Sequence, residues 1–395
     1  MATKKPERFD EVDWNEISGS TRLDFSLNTL LMLATAVPLF ALYVYDWQFV
    51  GRREDTFDFI GWETSIDGID YMFIFTLLVF AFYLVLPLYQ NQRMTKHYWN
   101  QFKRNRPAVV SLIWIAVIFV GGLIGPLLMN APEQDILAAH QPPVFMTVNQ
   151  ANVPTCLGEV SSGQCHGTWE YPLGTTQGGK GVLTSIVHGM TITMKIGFIS
   201  TMIAVSIAVV FGTVSAYAGG MVDEVLMRYV DIQQSWPTLI MFLLILYIYG
   251  GGIALFIFLF GIFSWGGMAR YVRSKSLSIS EEEYIQAVRV SGAGSYRIIR
   301  RHVVPNSASS IITDITLLIP GFLLAEAQLS FLGLGDPEIP SWGQLIAAGR
   351  TDLAFAPWIV LAPGIILFLT ILAFNFLGDA LLDALNPEAE AEADR

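Results

Sequence analysis

The sequence predicts an all-α polytopic membrane protein with about eight transmembrane helices, and three observations carry that prediction. Of 395 residues, 53% are hydrophobic and only 14% charged, against about 25% charged residues in soluble domains. Eight apolar runs approach the roughly 20 residues that a helix needs to cross a hydrocarbon core about 30 Å thick. Two of the connections between these runs are dense in Lys and Arg, as loops on the cytoplasmic side of a membrane are.

The runs extend from Leu23 to Tyr45, Tyr71 to Leu88, Ala108 to Met129, Ile196 to Ala218, Val230 to Tyr249, Ile253 to Ala269, Ile311 to Leu332, and Trp358 to Leu377. The first follows the polar segment MATKKPERFDEVDWNEISGS and has no small-residue cleavage site behind it, so it reads as a retained anchor. Lys195 precedes the fourth run and reads as a side chain snorkelling to the interface.

Orientation follows from the basic loops, because acidic residues say little about the side a loop occupies. Arg93, Lys96, Lys103, Arg104 and Arg106 separate the second and third runs; Arg270, Arg273, Lys275, Arg289, Arg297, Arg300 and Arg301 separate the sixth and seventh. An even number of runs lies between these loops, so both are expected in the cytoplasm, together with both termini. The segment from Asn130 to Val182 then falls outside and carries Lys180 as its one basic residue. Arg52 and Arg53 in the first outer loop depart mildly from the rule and are accompanied by acids. The net charge of −11 sits mainly in exposed ends and loops, including the tail PEAEAEADR, and describes solvent-facing surface rather than fold.

The two cysteines, Cys156 and Cys165, both lie in the outer segment, where a disulfide closing a small loop is expected. Two free thiols are the alternative. A zinc site is not expected, since His166 alone does not complete a set of four ligands. No metal and no cofactor is expected in this chain.

The chain divides unequally. Residues 1–107 hold an amino-terminal segment, a two-helix membrane hairpin and a basic linker; 108–182 the first core helix and the outer insertion; 183–387 the remaining core; 388–395 the acidic tail. The insertion is rich in Pro, Gly, Thr and Gln and reads as irregular structure packed on the outer face. No internal repeat stands out.

The cytoplasmic loop 278–306 reads as two short helices. Ser278 and Ser280 precede Glu281, Glu282 and Glu283, the chemistry of a capped helix start with acids facing the dipole. Tyr284, Ala287, Val288 and Ser291 follow at helical spacing, and Gly292-Ala293-Gly294 supplies a turn. Tyr296, Ile298 and Ile299 alternate with Arg297, Arg300 and Arg301 before Pro305 opens the next membrane helix.

Three patterns invite stronger readings. Gly174 to Lys180 has the spacing of a phosphate-binding loop, but Gly181 stands where a Ser or Thr would hold magnesium, no strand precedes it, and it lies outside. The cytoplasmic hairpin has the outline of a DNA-reading helix pair, yet flanking membrane helices hold it against the bilayer, where a duplex does not reach. Asp231, Asp314 and Glu326 lie in or beside apolar runs; a pathway role competes with a helix-end or subunit-interface position. No Ser/His/Asp or Cys/His arrangement points to an enzyme.

At the hairpin, EEEYIQAVRVSGAGSYRIIRRHVVPN resembles the coupling loop of binding-protein-dependent ABC transporter permeases. Gln286-Ala287-Val288 stands for the family's EAA triplet, Gly292 for its glycine and Pro305 for its proline. Gln286 replaces the acid of that triplet, for which Glu283 is the neighbouring substitute. YPLGTTQGGKG, GGMVDEVLMRYVDI, LAEAQLSFLGLG, PSWGQLIAAGR and FNFLGDALLDALNP resemble further segments of the second permease subunit of the dipeptide, oligopeptide and nickel branch. The likeness spans about residues 100–387 and implies a type I ABC importer permease core of six helices. Glu283, Tyr284, Gln286, Ala287, Arg289, Gly292, Arg297, Arg300 and Pro305 would then meet the ATPase. It also implies a second permease subunit, two ATP-binding subunits that hydrolyse ATP, and an extracytoplasmic substrate-binding protein delivering peptide. The amino-terminal hairpin and the insertion between Asn130 and Tyr171 lie outside the six-helix pattern. An ion-coupled secondary transporter is the alternative, and a membrane-embedded enzyme ranks third.

Overall fold

The computed structural model describes residues 27–49 and 66–385. The segment ahead of Leu27, Arg52 and Arg53, and the acidic tail lie outside the described residues. Helices α1 (Leu27–Phe49) and α2 (Gly68–Gln90) form the amino-terminal hairpin. Tyr43 meets Tyr71 edge-on at 5.4 Å, and Gln90 donates to Asn28 Oδ1 at 2.9 Å. Asp67 caps α2 by accepting from the amides of Ile69 and Asp70, and Asp70 returns the bond to the Asp67 amide, which satisfies donors the first turn cannot pair internally.

A short helix α3 (Gln92–Phe102) leads into α4 (Arg106–Leu128), whose start is capped by Asn105. The central element is α5 (Val182–Ala218). It begins well before the apolar run that starts at Ile196. At 1.5 Å per residue it is about 55 Å long, so its first turns stand beyond the hydrocarbon core. Ile196, Ile199, Ala204 and Ala208 of α5 are buried in the main cluster with Phe256, Leu259, Phe260, Met268, Ala269, Val272 and Phe322. Small residues let the helices close: a Cβ on Gly212 would lie 2.7 Å from the Ala269 carbonyl oxygen, the close backbone approach typical of membrane helix pairs.

The fifth apolar run, read as one span from Val230 to Tyr249, is instead a bent pair. Helices α6 (Gly220–Ser235) and α7 (Thr238–Tyr249) meet at 69°. Pro237 causes the break: it offers no N–H, and it drives the preceding Trp236 to extended backbone (ψ 137°). The pair still runs from end to end of the bundle. Asp223 at its start is bonded to Arg273, and Gly251 at its close packs on the Leu334 carbonyl. Among the described residues, seven further helical segments are long and apolar enough to cross a membrane, and the bent pair makes eight.

Helix α8 (Ile253–Phe263) yields at Ser264-Trp265 to α9 (Gly266–Ser280), so the sixth run continues well past Ala269. Two short helices follow, α10 (Glu283–Val290) and α11 (Ser295–Ile298). Helix α12 (Val304–Phe331), the short α13 (Trp342–Gly349) and α14 (Trp358–Leu385) complete the bundle.

The outer insertion departs from the irregular structure expected. It contains a three-stranded antiparallel sheet of β1 (Thr147–Asn149), β2 (Val160–Ser161) and β3 (Gln164–His166) in the order β1-β3-β2. Strands this short carry too few residues to print a period-two pattern. Cys156 and Cys165 are joined with Cα atoms 5.7 Å apart. Val148, Val153 and Cys165 pack with Val182 and Ile186 of α5 and with Trp358 and Ile359 of α14. The glycine-rich run 174–180 is part of this joint: Thr175 donates to the Ala138 carbonyl and accepts at its own carbonyl from Trp358 Nε1 at 3.1 Å.

Candidate functional site

Helix α10 ends in a Schellman turn. Gly292 has φ +85°, the Ala293 amide donates to the Val288 carbonyl at 3.3 Å, and the Gly292 amide to that of Arg289 at 3.1 Å. Both bonds satisfy carbonyls that the helix end leaves open, and the left-handed residue between them is the place of a glycine. Ser278 and Ser280 do not cap this helix, contrary to the sequence expectation. They close α9 instead, where Ser280 donates back to the Ser276 carbonyl, and the cap position falls to Glu282 without a side-chain bond.

The second helix is also not the separate unit the sequence suggested. A π-helical turn, Ile299–Val303, joins α11 to α12, so the chain from Ser295 to Phe331 is one continuous rod. Pro305 sits in the first turn of α12, and its missing N–H leaves the carbonyl four residues earlier without its usual donor. The wider turn lies against that position.

The hairpin has a fixed inner face and an open outer face. Ile285, Ile298 and Val303 are buried against Tyr217 at the end of α5 and Ile279 at the end of α9. The Arg289 guanidinium stands 5.4 Å from the centre of the Tyr217 ring, a cation–π contact. Tyr284 accepts a hydrogen bond from Asn306 Nδ2 at 3.1 Å. Glu283, Tyr284, Gln286, Ala287, Arg289, Gly292, Arg297, Arg300 and Pro305 are all exposed. Two residues missed from sequence join them: Val290 is 89% exposed and Tyr296 71%. Val290 falls out of phase with the buried Ile285 and the half-buried Val288, and that broken periodicity was the available signal.

The acids in and beside the apolar runs lie apart from one another along the bundle. Asp231 pairs with Arg270 at 2.5 Å, joining α6 to α9. Asp314 lies partly buried on α12, with no hydrogen bond or ion pair among the described residues. Glu326 is buried and accepts from Ser330 at 2.7 Å and from Ser341 at 2.6 Å. Ser341 in turn caps α13 through the Gln344 amide, so Glu326 holds the loop 332–341 against α12.

A further pair went unread. Asp223 of α6 accepts two hydrogen bonds from the Arg273 guanidinium of α9, at 2.6 and 2.5 Å, and another from Ser215 of α5. This fork is the stronger, oriented kind of ion pair. It locks three helices together at the end of the bundle that carries the hairpin.

Comparison with known proteins agrees with this architecture. Residues 208–390 match the family described as binding-protein-dependent transport system inner membrane component, and residues 93–143 match the N-terminal TM domain of oligopeptide transport permease C. The oligopeptide transport system permease protein OppC of Haemophilus influenzae is 32% identical over 290 residues, 73% of this chain and 87% of that protein. The dipeptide transport system permease protein DppC of Bacillus subtilis is 32% identical over 296 residues, covering 74% and 86%. OppC of Escherichia coli is 34% identical over 290 residues, covering 73% and 89%. Residues 1–92 precede both matched stretches. With relatives aligned over most of their length and an exposed hairpin standing on a broken-helix bundle, this chain belongs to the family of binding-protein-dependent transport system inner membrane components.

Proposed function

We propose that the chain is one permease subunit of an ATP-driven importer that moves di- or oligopeptides across the cytoplasmic membrane. The hairpin carries this reading: its apolar side is fixed to α5 and α9, while the nine residues expected to meet the ATPase are exposed. A rigid hairpin of this kind can seat in a groove on a cytoplasmic ATPase. Nucleotide-driven closure then biases the helices between inward- and outward-open arrangements through differential contacts in the two states. The partners are a second permease, two ATP-binding subunits that hydrolyse the ATP, and an extracytoplasmic binding protein. Peptide as cargo is supported by relatives named for oligopeptide and dipeptide transport.

Substrate crosses where the two permeases meet. Leu239, Ile240, Leu244, Tyr247 and Ile248 leave an apolar side of α7 open to such a partner. The distribution of Lys and Arg supports a cytoplasmic side for the hairpin and both termini. Asp231 and Glu326 are engaged within the chain and Asp314 stands apart from both, so the three acids do not line up as an ion-coupled relay.

The test is Gly292→Asp. A Cβ at φ +85° is strained, and the charge enters the surface offered to the ATPase. The substitution lies outside the apolar runs, so membrane abundance is expected to stay normal while ATP-dependent peptide uptake and ATPase copurification fall together. Normal uptake by this variant at normal abundance refutes the coupling role.

A further inference from the structure

We propose that α3 with its flanking turns is a binding site for anionic phospholipid headgroups in the leaflet on the hairpin side of the membrane. The proposal names that leaflet cytoplasmic only through the orientation given above.

Charge complementarity is the first observation. From Tyr71 to Pro132 the chain holds no Asp or Glu, and Arg93, Lys96, Lys103, Arg104 and Arg106 crowd into the middle of that stretch. All five are exposed, and none makes an ion pair among the described residues. A basic residue that merely obeys the positive-inside rule needs no ordered backbone. These are presented from α3, its carboxy-terminal turn and the first residue of α4.

Amphipathic order is the second. Met94, Tyr98 and Phe102 recur every four residues on one side of α3, while Arg93, Lys96 and Lys103 fall on the other at helical spacing. Phe102 is buried with Ala108 and Ala380, so α3 is fastened to the end of α14 rather than swinging on a linker. Trp99 stacks on Phe102 at 5.8 Å between ring centres and remains 48% exposed. Met94 and Tyr89 are exposed as well. An aromatic body with a polar tip beside exposed apolar side chains suits the headgroup level of a bilayer. A helix of this composition lies in the interface, its apolar flank toward acyl chains and its bases toward phosphates.

Position is the third. Helix α3 sits at the end of the bundle where α14 finishes, whereas α14 starts against the outer sheet through Trp358. It is joined directly to α2 through Asn91 and to α4 through Asn105. Tethered to one span on either side, it stays at the membrane surface, where a polybasic cluster is attracted to anionic lipid.

The experiment uses the full chain in nanodiscs of phosphatidylcholine with a minor fraction of phosphatidylglycerol, and spin-labelled versions of each lipid in turn. The motionally restricted fraction reports selectivity at the protein surface in either leaflet, so it does not depend on the assigned orientation or on transport. Wild type is expected to prefer phosphatidylglycerol. Lys96→Gln combined with Lys103→Gln and Arg104→Gln should cut that preference by about fivefold or more, with unchanged helical content. Raising salt should weaken it in wild type, whereas glycerol phosphate in solution should not displace the lipid. Lys180→Gln, on the outer segment, should leave it intact. Equal selectivity in wild type and the triple variant overturns the proposal. So does displacement by glycerol phosphate, which would mark a free phosphate site. Loss of ATPase copurification with lipid selectivity retained also overturns it, in favour of a protein contact.

Discussion

Lys195 Nζ lies 2.6 Å from Asp70 Oδ1, and this ion pair ties the amino-terminal hairpin to the central helix of the bundle. The side chains are only 15% and 28% exposed. Further along α2, Phe73 is buried in the main cluster, and Phe80 meets Phe198 edge-on at 6.2 Å. The sequence reading of Lys195 as a snorkelling residue at a helix start is therefore corrected. It lies well inside α5, and its partner was invisible because it comes from an element outside the six-helix pattern.

Lys195→Met leaves the Asp70 carboxylate enclosed without its counter-ion. The expected loss of stability lies between the roughly 0.5 kcal/mol of an exposed pair and the roughly 3 kcal/mol of a buried one. Adding Asp70→Asn should recover much of it, since the amide carries no charge to pair and still accepts from the Asp67 backbone N–H in the cap of α2. A double-mutant cycle on denaturation in detergent measures both, and strict additivity of the two single effects would show the pair to be uncoupled.

The Asp223–Arg273 fork predicts an asymmetry between charge and shape. Arg273→Lys keeps the cation but cannot donate two parallel hydrogen bonds to one carboxylate. Loss of a charge-assisted bond is expected to cost about 1.5–3 kcal/mol and to loosen α6 from α9. Crosslinking between cysteines placed on these two helices should fall in Arg273→Lys. Unchanged crosslinking would mean that packing alone holds them.

Cys165 is fully buried and Cys156 closes on it across a short loop. A loop of this size is expected to contribute about 2–3 kcal/mol by restricting the unfolded chain. Native protein should resist alkylation, and Cys165→Ser should lower the melting temperature of the outer domain. Alkylation of both thiols in folded, unreduced protein would contradict the pairing.

The eight-run pattern was legible because lipid imposes a length and a composition that survive in any single sequence. What stayed hidden depends on contacts between distant residues. The bend at Pro237 follows the polar stretch Asp231 to Ser235, and both were signals of a break that the mean hydropathy of the run from Val230 to Tyr249 averages away. The fork joins positions fifty residues apart. Ser280 carries the chemistry of a cap, yet an uninterrupted α9 claims its hydroxyl for the preceding turn. At the hairpin the motif residues were legible, while Val290 was missed because hydropathy alone assigns it to a core; its phase against Ile285 and Val288 was the signal that it faces outward.

Val290 and Tyr296 are the most exposed large hydrophobic side chains on the hairpin. Solvent gives no reason to hold an isopropyl group and a phenol on the rim of a rigid turn. An ATPase groove does, since apolar and aromatic anchors at the centre of a small interface carry most of its binding energy. Tyr296→Ala is therefore expected to weaken ATPase association by about 2 kcal/mol or more, the scale of an interface hot spot. Val290→Asp should act in the same direction by placing an unpaired charge in a desolvated contact. Neither side chain packs on the bundle, so the melting temperature of the isolated permease should stay within the effect of an ordinary surface substitution, about 0.5 kcal/mol. Pairing a binding titration on purified ATPase with a melting curve on permease alone separates the two roles. Reduced melting temperature with intact binding would return both residues to the fold and remove them from the interface.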